Sequence, residues 1–202
     1  FIMGYFRTNP PCELWRKLKC RLFAWFNSYA FGAFGKHNYL FDLELLNPPN
    51  IFLGSNLWIS KTRLASSKGG KLIIGNHVAI GRFSQIYALQ SIIIEDGVLM
   101  AENTFISDNT HTFTDITTPV RDQDIKPLGN VVIGSGTWIG RNVVVNGCKI
   151  GRNCIIGAYT FLKKDIPDYC VVVGNPARIV KRYNPQSGQW EKTDKDGNFI
   201  NE

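Results

Sequence analysis

An aliphatic residue returns at nearly every sixth position along the middle of the chain. Ile74, Ile80 and Ile86 begin the series, and Ile94, Met100 and Ile106 continue it. Ile133, Ile139, Val145, Ile150, Ile156 and Leu162 resume it further on. Within these runs one step is eight residues, Ile86 to Ile94, and one is five, Val145 to Ile150. Leu53 and Ile59 carry a weaker version upstream. An amphipathic helix needs spacings of three and four, and a half-buried strand needs two. Six residues suit a short strand and a tight turn, three such units closing one coil of a parallel β-helix. The aliphatic residue then points inward and stacks on its counterpart one coil away, as in other solenoids. Gly75, Gly81, Gly134, Gly140, Gly151 and Gly157 directly follow beats of the series. Glycine suits a turn where a side chain would crowd or φ must be positive. A β-sandwich would also use many short strands, but nothing in it would hold this period.

The beat stops at "SDNTHTFTDITTPVRDQDIKPLGN", residues 107–130. A solenoid does not require a twenty-residue excursion, and long loops in compact domains are often functional. His111, one of only three histidines, stands at its edge. His37 and His77 read as surface or turn residues. The three histidines are too far apart in sequence for a compact zinc site, so no metal is expected.

Residues 11–34 read as one amphipathic helix or two short ones. Leu14, Trp15, Leu18, Leu22, Trp25 and Phe26 form an apolar stripe, with Arg16, Lys17, Lys19 and Arg21 between them. Such a helix would cover the open end of the first coil, where strand edges and core are otherwise exposed. Trp with Lys and Arg also suits a peripheral membrane contact. The domain reading is therefore a helical cap or interface segment over residues 1–36, a β-helix over 37–182 with loop 112–130, and a polar tail over 183–202. In the tail, Asp196–Gly197 suits a small hairpin bringing Trp190 near Phe199. No chemistry is assigned to it.

The chain has 202 residues, 44% hydrophobic and 19% charged, enough for a sizeable core in one or two domains. A net charge of +7 favours anionic partners, but no block of Lys and Arg forms a nucleic-acid footprint, so nucleic acid is not expected. Five cysteines without a CxxC pair argue against a disulfide framework and for a reducing compartment. No apolar run is long enough to span a bilayer, and the first residues lack the pattern of a signal peptide. The expected location is cytoplasmic, at or near the inner face of the membrane.

The segments "IGSGTWIGRNVVV", "IGAYTFLKKDIP" and "VVVGNPARIVKR" give the chain a family resemblance over about residues 50–182. It resembles the hexapeptide-repeat acyltransferases. The nearest groups are the sugar O-acetyltransferases of surface-polysaccharide biosynthesis and the galactoside and maltose acetyltransferases. The resemblance implies a left-handed parallel β-helix, an exception to the right-handed crossover rule. It also implies a homotrimer with acetyl-CoA as donor and a sugar or glycan as acceptor. His111 matches the catalytic histidine, which lies just before a loop leaving the coil. Histidine titrates near neutrality and can take the proton of an attacking hydroxyl. Trp138 matches a tryptophan beside the cofactor thioester or at a subunit contact. Gly140 and Ala158 match small positions along the pantetheine, and Lys164 and Arg178 match basic positions near the phosphates.

Asp108, Asn109 and Asp115 are candidates to orient the imidazole or, for the first two, to touch substrate, although Asp and Asn also favour turns. Arg121 and Lys126 are candidates to meet an acidic sugar or phosphate. The acceptor-binding Asn of the galactoside and maltose enzymes is replaced here by Phe83, next to Ser84 and Gln85. That departure disfavours simple galactosides and maltose. The reading is acetyl transfer to a glycan hydroxyl with His111 as general base. N-acylation of an amino sugar and a non-catalytic β-helix scaffold are the alternatives.

Overall fold

The computed structural model describes residues 10–200. Short parallel strands wind through three flat faces of a prism. The first face holds Ala33–Phe34, Ile51–Leu53, Lys71–Ile74, Ser91–Ile94, Val131–Ile133 and Lys149–Ile150. The second holds Tyr39–Phe41, Trp58–Ser60, Ala79–Ile80, Leu99–Met100, Trp138–Ile139, Ile155–Ile156 and Cys170–Val173. The third holds Glu44–Leu46, Arg63–Ser66, Gln85–Ala88, Phe105–Ser107, Val144–Asn146 and Phe161–Leu162. Six full coils result, and the bridge Ile150↔Ile166 starts a seventh.

The sixfold period is the spacing from one face to the next. Ile74, Ile80 and Ile86 lie on the three faces in turn, all but fully buried. Every beat from Leu53 to Leu162 points inward in the same way. Each such side chain contributes about 1.5–3 kcal/mol through burial. The glycines after the beats are there for crowding. At Gly134 a Cβ would stand 2.4 Å from the backbone of Gly151 one coil on. The positive-φ corners are filled by other residues, including Asn56, Asn103, Asn142 and Asn153, and also Phe83 and Tyr159. Asparagine tolerates that region better than most side chains.

The coil begins earlier than residue 37, because Ala33–Phe34 already pairs with Phe52–Leu53. At the other end, the segment read as a tail is part of the second sheet. Arg178–Asn184 pairs antiparallel with Cys170–Val173, and Gln189–Lys192 pairs antiparallel with Arg178–Asn184. Tyr183 packs edge-on to Trp190, at 5.8 Å between ring centroids. Asp194 then caps a turn through the N–H groups of Asp196 and Asn198, and Thr193 bridges to Phe199. The Asp196–Gly197 turn is present, but the main hairpin turns between Asn184 and Gln189.

Helix α1, Pro10–Asn27, lies over the first coil and meets the strand Tyr39–Phe41. Its docking side corrects the sequence expectation. Cys20 is buried and Phe23 packs against the core, whereas Trp15, Leu18, Leu22, Trp25 and Phe26 face away. The side chain of Leu14 lies outside the described residues. The end of a coil is small, and the small Cys20 with one aromatic ring fits it better than a row of tryptophans.

Candidate functional site

The repeat breaks at Asp108. In regular coils a backbone N–H donates to a carbonyl one coil on, as Gly75 does to Ile94 at 2.7 Å and Glu95 to Ile133 at 2.9 Å. At residues 89–91 the next coil has left the prism, and a carboxylate replaces the missing carbonyls. Asp108 is wholly buried and accepts from the N–H groups of Leu89 (2.7 Å), Gln90 (2.7 Å) and Ser91 (2.9 Å). Asn109 donates from Nδ2 to the same carboxylate at 3.0 Å and to the Tyr87 carbonyl at 3.3 Å. Both residues were expected at the substrate. The structure corrects this for Asp108, whose oxygens are occupied by donors of its own chain, and gives Asn109 an anchoring job.

From this anchor the chain rises as a two-stranded ribbon. Asn109–His111 pairs antiparallel with Ile125–Pro127, with His111 opposite Ile125. The Thr112 N–H continues the ladder to the Asp124 carbonyl at 2.7 Å. The outer turn is tied as firmly. Asp115 accepts from the hydroxyls of Thr118 (2.6 Å) and Thr117 (2.7 Å), which hold its carboxyl down to about 2. Gln123 donates from Nε2 to the carbonyls of Asp115 and Thr118. Asp115 therefore fastens the ribbon tip and does not orient the imidazole. Arg121 stands beside Asp122, and the Lys126 ammonium lies over the Phe113 ring. Phe113, Ile116, Val120 and Ile125 are exposed apolar side chains on the ribbon.

His111 is exposed at the outer end of its ribbon strand, and no described residue makes a hydrogen bond or ion pair with its ring. His37 and His77 sit at corners with φ near +60° and are exposed. Among the described residues no group of three or more His, Cys, Asp or Glu is placed to hold a metal. Burial pushes the Cys148 thiol up to about 11, which leaves it a poor nucleophile at neutral pH.

Trp138 stands on the outer side of the second face, half exposed, in register with Leu99 and Ile155. Trp58 and Leu99 are outward-facing there too. The chain thus carries Trp138 on the second face and His111 on the ribbon that follows the third face. Gly140 corrects another expectation. It is buried, and a Cβ there would stand 2.7 Å from the Ala158 backbone nitrogen, so coil stacking accounts for it. Ala158 is exposed. Phe83 projects from its corner at φ 61°, while Ser84 beside it is buried and accepts from the Thr104 N–H.

Lys164 and Arg178 do come together. They line a cleft of about 440 Å³ with Lys163, Lys195 and the carboxylates of Asp165 and Asp196. Lys195 was missed because it belongs to the polar tail. The only signal was the Asp196–Gly197 turn, which returns the tail to the prism.

Three-sided parallel coils, with an exposed imidazole on a ribbon and a basic cleft at the last coil, define a β-helix protein. The family model "Bacterial transferase hexapeptide (six repeats)" matches residues 130–164. The putative lipopolysaccharide biosynthesis O-acetyl transferase WbbJ of Escherichia coli is 31% identical over 75% of this chain and 82% of its own length. The probable acetyltransferase Rv3034c of Mycobacterium tuberculosis is 43% identical over 55% of this chain, which spans only 37% of that relative. Among solved structures, AntD from Bacillus cereus, an N-acyltransferase in complex with dTDP and 3-hydroxybutyryl-CoA, matches with a TM-score of 0.69. That match has 22% identity and covers 80% of this chain and 88% of AntD. The chain belongs to the hexapeptide-repeat acyltransferase family, and its solenoid is of the left-handed β-helix type.

Proposed function

We propose that the protein transfers an acetyl group from acetyl-CoA to a hydroxyl of a sugar or glycan intermediate, with His111 as general base. The observation that carries the reading is the His111 imidazole, raised clear of the core on an ordered ribbon with no partner on its ring among the described residues. The WbbJ relative, an O-acetyl transferase by name, favours a glycan hydroxyl and a role in surface-polysaccharide biosynthesis. The imidazole takes the hydroxyl proton as the oxygen attacks the thioester carbonyl. The tetrahedral oxyanion then collapses, the carbon–sulfur bond breaks, and the proton passes to the departing thiolate. The products are a sugar ester and free CoA.

The donor phosphates would lie in the cleft of Lys164, Arg178 and Lys195, where cations complement a multiply anionic nucleotide. Trp138 and Ala158 would flank the thioester arm. A homotrimer completes the site by setting His111 of one protomer beside Trp138 of the next. The outward row of Trp58, Leu99 and Trp138 supports this, because such a face stays out of water only against a partner.

The test is free-thiol release from acetyl-CoA over a panel of sugar acceptors. His111→Ala should lower the rate by about 10²–10⁴-fold with folding intact. An undiminished rate rejects the assignment. Transfer to amino sugars but to no hydroxyl would move the acceptor class to amines and leave the base in place.

A further inference from the structure

The helix over the first coil is docked by one face only. Cys20 and Phe23 hold it to the prism. On the other side Trp15, Leu18, Leu22, Trp25 and Phe26 form a continuous row, with Trp25 72% exposed and Trp15 63%. Trp25 and Phe26 touch edge-on, with centroids 4.6 Å apart. Lys19 and Arg21 are exposed beside this row. Single exposed apolar residues are ordinary, but a row of five large ones along one helix is an interaction surface.

We infer that this face binds an anionic lipid surface, the helix lying flat in the headgroup layer. Three observations select that occupant. First, tryptophan and leucine alternate with cations, and the helix carries four Lys or Arg against one Glu. Tryptophan rings settle at the boundary of water and hydrocarbon, and cations meet anionic headgroups beside them. Second, the exposed Lys19 and Arg21 flank the row, one on each edge, where cations stand when the apolar face of a helix sinks into a headgroup layer. Third, α1 is 18 residues long, and among the described residues no helix is long and apolar enough to cross a membrane. The surface therefore suits a helix that lies on the bilayer. The inference goes beyond the proposed acetyl transfer and does not depend on it.

The test is flotation of the full-length protein with vesicles of phosphatidylcholine alone or mixed with phosphatidylglycerol, at low and high salt. Wild-type protein should float with the mixed vesicles at low salt and much less with phosphatidylcholine alone. Leu22→Gln/Trp25→Gln keeps the net charge and should lower partitioning by about tenfold or more, because it removes only the apolar anchor. Lys19→Gln/Arg21→Gln should lower it as well, and salt should weaken what remains. Circular dichroism checks that each variant is folded. Equal flotation of wild type and Leu22→Gln/Trp25→Gln would mean generic cationic attraction and overturn the inference. So would failure of the wild type to float. A smaller mass by light scattering for that variant, with no vesicle binding by the wild type, would reassign the face to a contact between copies of the chain.

Discussion

Removing the Asp108 carboxylate leaves the N–H groups of Leu89, Gln90 and Ser91 without the acceptors that every regular coil supplies. Unmet buried donors cost about 1–3 kcal/mol each, part of which water can recover at a corner. Asp108→Ala should therefore destabilise the fold by about 3 kcal/mol, and Asp108→Asn by less, since one amide oxygen still accepts. Urea unfolding measures both, and an unchanged midpoint for Asp108→Ala would refute the role. Ile139→Ala removes a wholly buried beat and should cost about 2–5 kcal/mol by the same measurement. The two residues differ in how visible they are before folding. Ile139 announces itself through neighbours six positions away. Asp108 works on residues 17–19 positions back, and nothing local marks an aspartate as the substitute for a displaced strand. Gly140 was legible as a position that must be small. Only the distance to the Ala158 backbone says that the demand comes from the next coil.

Among the elements, the ribbon was visible as a break in the beat, but its internal order was not. Asp115 reads as turn chemistry or as an imidazole partner with equal ease. Its role is fixed by Thr117 and Thr118, which its own turn folds back onto it. Its carboxyl titrates lower in the fold, at about 2, than the ordinary 3.8 of an unfolded chain. Its contribution is thus complete above the unfolded value and is lost as pH falls through about 2. The amide resonances of Thr117 and Thr118 should titrate with a midpoint near 2, and a midpoint near 3.8 would show the cap open in solution. Deleting residues 114–126 should abolish transfer while leaving the prism folded, because no buried core residue lies in that span. A fully active deletion would remove the ribbon from the site. The helix and the last hairpin were harder to read. α1 has more apolar residues than its docking face can use, so the strongest stripe named the wrong side. Arg178–Asn184 lacks a run of inward aliphatics, and its pairing rests on an edge left open by Cys170–Val173.

For the whole molecule, His111 on the ribbon and Trp138 on the second face make the proposed trimer testable. If each site draws His111 from one protomer and Trp138 from its neighbour, His111→Ala and Trp138→Ala proteins should each be impaired. Unfolded and refolded together in equal amounts, they should regain about a quarter of wild-type rate, the share of neighbour pairs with both side chains intact. A site built within one protomer would regain nothing. The basic cleft belongs to this scale too, since the tail closes back on the last coil to put Lys195 beside Lys164 and Arg178. Lys195→Ala should raise the KM for acetyl-CoA and leave kcat nearly unchanged, because a contact to a remote phosphate binds ground and transition states alike. A fall in kcat alone would contradict it.

The plug at Asp108 also carries a rule of grammar for chains of this kind. A corner can be lengthened to host new chemistry only if something at the point of departure answers the amides beneath it. A lone acidic residue two positions after a beat, followed by a stretch without rhythm, would then mark where a solenoid has been opened for use. The same signature without that residue would mark an opening that weakens the stack.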